Sequence, residues 1–225
     1  MNIQYTDKIN FGEGIKAILY GEFGVGKTPL CATAPTPIIF SAEEGLLSLR
    51  KIKVPFIDVS NYKDLKDSFK WLMSSSEAKN YQTPCLDSLG EIADVIFSEE
   101  RRKNSDPRKY VPEARDQIFN LVRAFRDLKG KNAVVICKQI LQQGTELGAP
   151  QRAVPEMPNE KVQNAVPYFF DLVLHMYVHT HTDGKKYQAI HTKQGSPYYQ
   201  ARDRGGNLDE IEQPNLTHIF KKAAL

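Results

Sequence analysis

Eight consecutive residues, Gly21-Glu22-Phe23-Gly24-Val25-Gly26-Lys27-Thr28, satisfy the pattern G-x-x-x-x-G-K-[ST] and follow directly on an apolar run from Ile15 to Tyr20. That spacing serves the holding of a triphosphate. Glycines at 21, 24 and 26 let the backbone fold into a nest whose N–H groups converge on phosphate oxygens, and a helix starting near Lys27 adds the positive end of its dipole. The Lys27 ammonium then neutralises the β- and γ-phosphates of ATP, and the Thr28 hydroxyl holds Mg²⁺. The expected nucleotide cradle is Glu22, Phe23, Gly24, Val25, Gly26, Lys27, Thr28 and Pro29. Pro29 stands where such loops commonly offer one more N–H to the α-phosphate, and proline has none to give. Because a first helical turn tolerates proline, the fold is safe and nucleotide affinity is expected to be reduced. The plainer reading is a glycine-rich turn after a strand.

Hydrolysis also needs an acid for the Mg²⁺ shell and a group that orients water. Asp87, closing Tyr81-Gln82-Thr83-Pro84-Cys85-Leu86-Asp87, falls at the carboxyl end of an expected strand, the edge where ligands of α/β proteins gather. It is the expected second Mg²⁺ ligand. Pro84 interrupts the strand, which is expected to begin effectively at Cys85; the plainer role of Asp87-Ser88 is to cap a helix near Gly90. After Ile38-Ile39-Phe40 comes Glu43, the preferred residue for polarising water, with Glu44 in reserve, provided this strand lies beside the phosphate loop. A solvated acidic turn opening a helix at Leu46 to Arg50 would look the same.

These residues need a scaffold of strands ending at one edge. Apolar runs at Lys16 to Tyr20, Pro37 to Phe40, Pro55 to Val59, Cys85 to Asp87, Ala133 to Cys137 and Leu172 to Val178 alternate with helical segments, which predicts an α/β fold with a largely parallel sheet. A helix is expected over Ala114 to Leu128, where Ile118, Leu121, Val122, Phe125 and Leu128 recur at spacings of three and four. Thr182-Asp183-Gly184-Lys185 predicts a hairpin turn, so the C-terminal third is expected to be antiparallel, closed by a helix from Leu216 capped at Asn215. Ser98 to Glu113 and Gln139 to Val166 read as irregular segments.

A chain of 225 residues, 41% hydrophobic and 25% charged, predicts one domain over residues 1–225, and a net charge of +3 does not by itself mark a nucleic-acid binder. Cys31, Cys85 and Cys137 have no metal-like spacing and read as buried free thiols. With a polar start and no long apolar run, a cytoplasmic protein without a membrane span is expected. His179 and His181 would share one strand face, but no neighbouring Cys or acid supports a metal there; Trp71 and Tyr198-Tyr199 read as packing residues.

The loop Gly21 to Thr28, the Ala42-Glu43 pair after the second strand and Leu86-Asp87-Ser88-Leu89 together resemble the RecA-type ATPase core. More narrowly, with Pro167-Tyr168-Phe169-Phe170-Asp171, Ala201-Arg202-Asp203-Arg204 and Pro214-Asn215-Leu216, the chain resembles the phage RecA-like recombination proteins of the Sak-four group over nearly its whole length. The resemblance implies a P-loop NTPase core whose parallel sheet is extended by C-terminal antiparallel strands. It implies an ATP-dependent single-stranded DNA binder that anneals strands or exchanges them as a homo-oligomeric ring or filament, with a single-strand-binding protein as a further partner. By the same similarity Glu43 is the catalytic glutamate and Gln139 senses the γ-phosphate, while Lys27 and Asp87 complete the catalytic set.

In RecA-like proteins the loops after the Walker B helix and after the sensor strand hold DNA. Here those segments carry Arg101, Arg102, Lys103, Arg108 and Lys109 for phosphates, Tyr110 for a base, and, ranked lower, Arg152 and Lys161. Lys193, Arg202 and Arg204 are candidates for a cation reaching a neighbour's γ-phosphate, or else for surface ion pairs. Two other functions compete: a small P-loop nucleotide kinase, and an annealing module that ATP stabilises without being hydrolysed.

Overall fold

The computed structural model describes residues 14–43, 46–144 and 148–225. Its centre is a sheet in the order β10-β8-β7-β1-β5-β4-β2-β3. Six strands run parallel: β1 (Lys16–Gly21), β2 (Pro37–Ser41), β3 (Phe56–Asp58), β4 (Thr83–Asp87), β5 (Ala133–Gln142) and β7 (Leu172–Thr180). The remaining strands are antiparallel additions: β6 (Arg152–Pro155) on β5, β8 (Lys186–His191) and β9 (Arg202–Asp203) on β7, and β10 (Ile211–Glu212) on β8. This is the expected α/β architecture, a mostly parallel sheet with antiparallel strands contributed late in the chain.

Alternation along the buried strands sorts side chains to two faces. Ile18 and Tyr20 of β1, Leu86 of β4 and Val135 of β5 meet one helical layer: α2 (Tyr62–Ser74), α3 (Leu89–Lys103), α4 (Pro107–Arg126) and α5 (Glu160–Ala165). Ala17, Leu19, Cys85 and Ile136 point the other way, onto α1 (Lys27–Cys31) and α6 (Leu216–Ala223). Cys31, Cys85 and Cys137 are free and buried. Among the described residues no helix is long and apolar enough to cross a membrane.

Both segments that read as irregular contain regular structure among their described residues. Arg101, Arg102 and Lys103 form the last turn of α3, and Arg108, Lys109 and Tyr110 lie in the first turns of α4, whose N-cap Asp106 accepts a hydrogen bond from the Arg108 N–H. Pro112 disguises the start of α4, since a proline removes one helical hydrogen bond; Ala114, Ile118, Val122 and Phe125 bury the same helix deeply enough to offset that loss. Beyond Cys137, β5 runs on to Gln142 and pairs with β6, so Arg152 and Gln139 belong to a hairpin and not to loops. Within that extension only Gln139 is partly covered, while Lys138, Ile140, Leu141 and Gln142 are exposed, so it lacks the alternation that marks a half-buried strand. Pro84 lies inside β4, one residue before the β4 ladder with β5 begins at Cys85, so its missing N–H falls outside that ladder.

Candidate functional site

At Gly21, the last residue of β1, there is no room for a side chain, because an added Cβ would lie 2.2 Å from the Met176 carbonyl oxygen. The loop then closes at Gly26, the N-cap of α1, whose φ of 103° strains any L side chain and where an added Cβ would meet Gln188 Nε2 at 2.6 Å. Since α1 has only five residues, a phosphate held here would rely on loop N–H groups more than on a long helix dipole. A residue unmarked by any motif braces the loop from outside: Gln188 on β8 donates from its amide to the Val25 carbonyl at 2.7 Å.

A cavity of about 750 Å³ opens beside this loop. Lys27, Thr28, Glu43, Asp87 and Gln139, expected from sequence, all line it, as do Gly24, Gly26, Phe23 and Pro29. Lys27 rests its ammonium on the carbonyls of Gly21 and Glu22, at 2.8 and 2.9 Å. The Thr28 hydroxyl donates to Asp87 Oδ2 at 2.6 Å, joining the end of β4 to the first turn of α1. Glu43 follows β2, the strand expected, but β2 pairs with β4 and β3 and is separated from β1 by β4 and β5, so Glu43 reaches the cavity without its strand lying beside the phosphate loop. Glu44 lies outside the described residues. Ser88 is the N-cap position of α3, but its hydroxyl makes no capping bond; it faces the cavity, buried, with no hydrogen-bond partner among the described residues. Lys138 also lines the cavity and is paired with Glu91 at 2.5 Å.

The charges oppose one another. Burial pushes the Asp87 carboxyl up to about 6, with the Glu43 charge adding to the rise and the Thr28 hydroxyl and Lys27 ammonium resisting it. Burial lowers Lys27, against the pull of Asp87 and Glu43. A buried carboxylate touching a hydroxyl oxygen is a donor pair suited to a hard cation, so Thr28 and Asp87 fit Mg²⁺. When bound, Mg²⁺ would offset charge on the β- and γ-phosphate oxygens.

The expected DNA and finger residues lie outside the cavity. Arg102 pairs with Glu99 at 2.8 Å, and Lys103 pairs with Glu100 at 2.6 Å and sits over the Tyr62 ring. Arg101, Arg108 and Lys109 are exposed and make no ion pair among the described residues. Arg152, on β6, binds the Tyr199 carbonyl and the Gln194 side chain. Arg204 pairs with Asp171 at 3.1 Å, Arg202 lies over the Tyr168 ring, and Lys193 donates to the Gly206 carbonyl at 3.2 Å. β9 joins β7 at Leu172 and Val173, toward the strand end away from the phosphate loop.

A phosphate loop after β1, an acid at the end of β4, and one strand, β5, inserted between those two define a nucleotide-binding ATPase of the P-loop class. Residues 13–205 match the AAA domain family, and the chain belongs to that family. Solved structures similar in fold include the KaiC-like protein PH0186 from Pyrococcus horikoshii, 13% identical over 80% of this chain and 78% of that one with a TM-score of 0.45. The flagellar accessory protein FlaH from Methanocaldococcus jannaschii is 14% identical over 88% of this chain and 84% of its own, with a TM-score of 0.44. No curated protein sequence matches the chain.

Proposed function

We propose that this protein is an ATP-hydrolysing, single-stranded-DNA-binding enzyme of phage homologous recombination, annealing or exchanging strands as a homo-oligomer in the host cytoplasm. The observation that carries the hydrolytic half is the convergence of Lys27, Thr28, Glu43 and Asp87 on one cavity, with Thr28 and Asp87 in direct contact. In the reaction, a water oxygen bonds to the γ-phosphorus as the bond to the bridging oxygen breaks. ADP departs, and the water's proton passes to the Glu43 carboxylate. Lys27 moves off the Gly21 and Glu22 carbonyls to the phosphates, which gain its charge at the transition state.

The DNA half is supported by the resemblance of the sequence and by the exposed Arg101, Arg108 and Lys109 beside Tyr110 at the α3–α4 corner. Cations free of internal partners are the ones available to phosphates, and an aromatic beside them offers a stacking face. ATP turnover with and without oligo-dT tests the whole reading. Stimulation by the oligonucleotide and loss of turnover in Lys27→Ala are expected. Turnover that requires a nucleoside monophosphate would make the protein a kinase, and annealing unchanged by Lys27→Ala would make the loop structural.

A further inference from the structure

β1 stops at Gly21, but its neighbours β5 and β7 continue past it; His175 of β7 is level with Tyr20, and Gln139 of β5 is one residue beyond the partner of Gly21, so the two side chains meet across the end of β1. At that point His175 Nε2 of β7 lies 3.0 Å from Gln139 Oε1 of β5. Gln139 lines the nucleotide cavity. We propose that His175 is a positioning residue for catalysis: its Nε2–H holds the Gln139 oxygen, so that the Gln139 NH₂ is presented to the γ-phosphate. The inference rests on the ATPase reading above and adds the residue that aims its sensor.

The hydrogen-bond chain fixes which nitrogen carries the proton. His175 Nδ1 lies 3.1 Å from His191 Nδ1, and two neutral rings can share that contact only if one donates and the other accepts. With Nε2–H given to Gln139, His175 Nδ1 accepts and His191 Nδ1–H donates. The rings are clamped by stacking. Tyr20 lies on His175 at 4.9 Å, and His191 is flanked by Tyr177 at 3.9 Å and Tyr199 at 3.8 Å. The groups facing the pair are thus Tyr20 from β1, Gln139 from β5, Tyr177 from β7 and Tyr199 from the segment before β9, with Glu210 accepting from the Tyr199 hydroxyl at 3.3 Å. Burial, and then His191, lower His175 to about 4, so it is neutral and has one donor at physiological pH. Tyr20 is itself fixed, its hydroxyl donating to the Gln200 carbonyl at 2.6 Å and accepting from the Gln200 N–H at 3.0 Å.

A glutamine held at its oxygen loses the freedom to turn that oxygen toward an anion, and one such hydrogen bond is worth about 3- to 10-fold in rate if it is used at the transition state. The experiment uses the full chain with His175→Phe, which keeps a stacking ring and removes the donor, alongside Gln139→Ala and the double variant. His175→Phe should lower kcat about 3- to 10-fold with KM for ATP little changed, and should have no further effect in the Gln139→Ala background. An equal loss in both backgrounds overturns the proposal. Independently, ¹⁵N NMR of histidine in the wild-type protein should show His175 protonated at Nε2 and bare at Nδ1; the opposite tautomer overturns it even if a variant misfolds. An absence of ATP turnover in the wild type would defeat the ATPase reading while leaving this tautomer measurement to judge the His175–Gln139 contact on its own.

Discussion

Asp87 is 2% exposed, and its acidity is displaced from an ordinary 3.8 to about 6, so in the metal-free protein its negative charge opposes folding. The sign follows from linkage. A carboxyl with a raised folded-state pKa favours the native state only below the unfolded pKa, and that contribution is lost as pH rises through about 6. The gap corresponds to about 3 kcal/mol at neutral pH and above, and about half of that near pH 5. Asp87→Asn keeps an oxygen to accept from the Thr28 hydroxyl and removes the charge. In EDTA at about pH 7.5 the variant should therefore be more stable than wild type by up to about 3 kcal/mol, raising Tm by several degrees, roughly 2 to 4 °C per kcal/mol for a chain of this size. Denaturant unfolding of both proteins at the two pH values measures the difference, and ATP turnover should be abolished throughout. Equal or lower stability of Asp87→Asn at about pH 7.5, or a gain that fails to shrink near pH 5, would refute the reasoning.

Other outcomes are expected. Gln188→Ala, losing the bond to the Val25 carbonyl, should weaken ATP binding by calorimetry about 3- to 10-fold, with thermal stability changed little. Pro29→Thr restores a backbone N–H at the edge of the cavity and should tighten ATP binding; equal or weaker binding would show that this position contributes no donor. Replacing Arg101, Arg108 and Lys109 together with alanine should lower oligo-dT affinity and reduce its salt dependence by about one counterion for each phosphate no longer neutralised, whereas replacing Arg102 and Lys103, held by Glu99 and Glu100, should do less. Between pH 6.5 and about 4, protonation of His175 should destabilise the wild type, because a histidine with a depressed folded pKa contributes stability above its unfolded value and loses it on acidification; His175→Phe should flatten that limb of the unfolding curve.

What local sequence carries is what local physics decides. The phosphate loop needs glycines at fixed offsets, the Asn215 side chain caps α6 by accepting from the His218 N–H, and Gly184 at φ 80° turns the β7–β8 hairpin. Each of those is legible in a few adjacent residues. Gln188 and His175 are not, because they reach Val25 and Gln139 only after β7 and β8 have been laid against β1. Ser88 has the local look of a cap, whereas its burial beside the cavity comes from the way β4 meets α3. The start of α4 and the outer half of β5 escape a local reading for opposite reasons: Pro112 sends a misleading signal in a helix that the core enforces, and the β5 extension sends none because its exposed residues fall on both of its faces.

The strand that leads into the phosphate loop has no near neighbour in the chain. Lys16 pairs with Ala133, and Ala17 with Leu172, so both flanks of β1 come from segments made more than a hundred residues later. At ordinary translation speeds of about 5 to 20 residues per second, the ribosome works for roughly 10 to 30 seconds before β7 exists to finish that ladder. Until β5 is made, Ile18, Leu19 and Tyr20 have no sheet to enter, and until β7 follows one edge of β1 stays open, so the nascent chain carries an apolar segment for chaperones to shield.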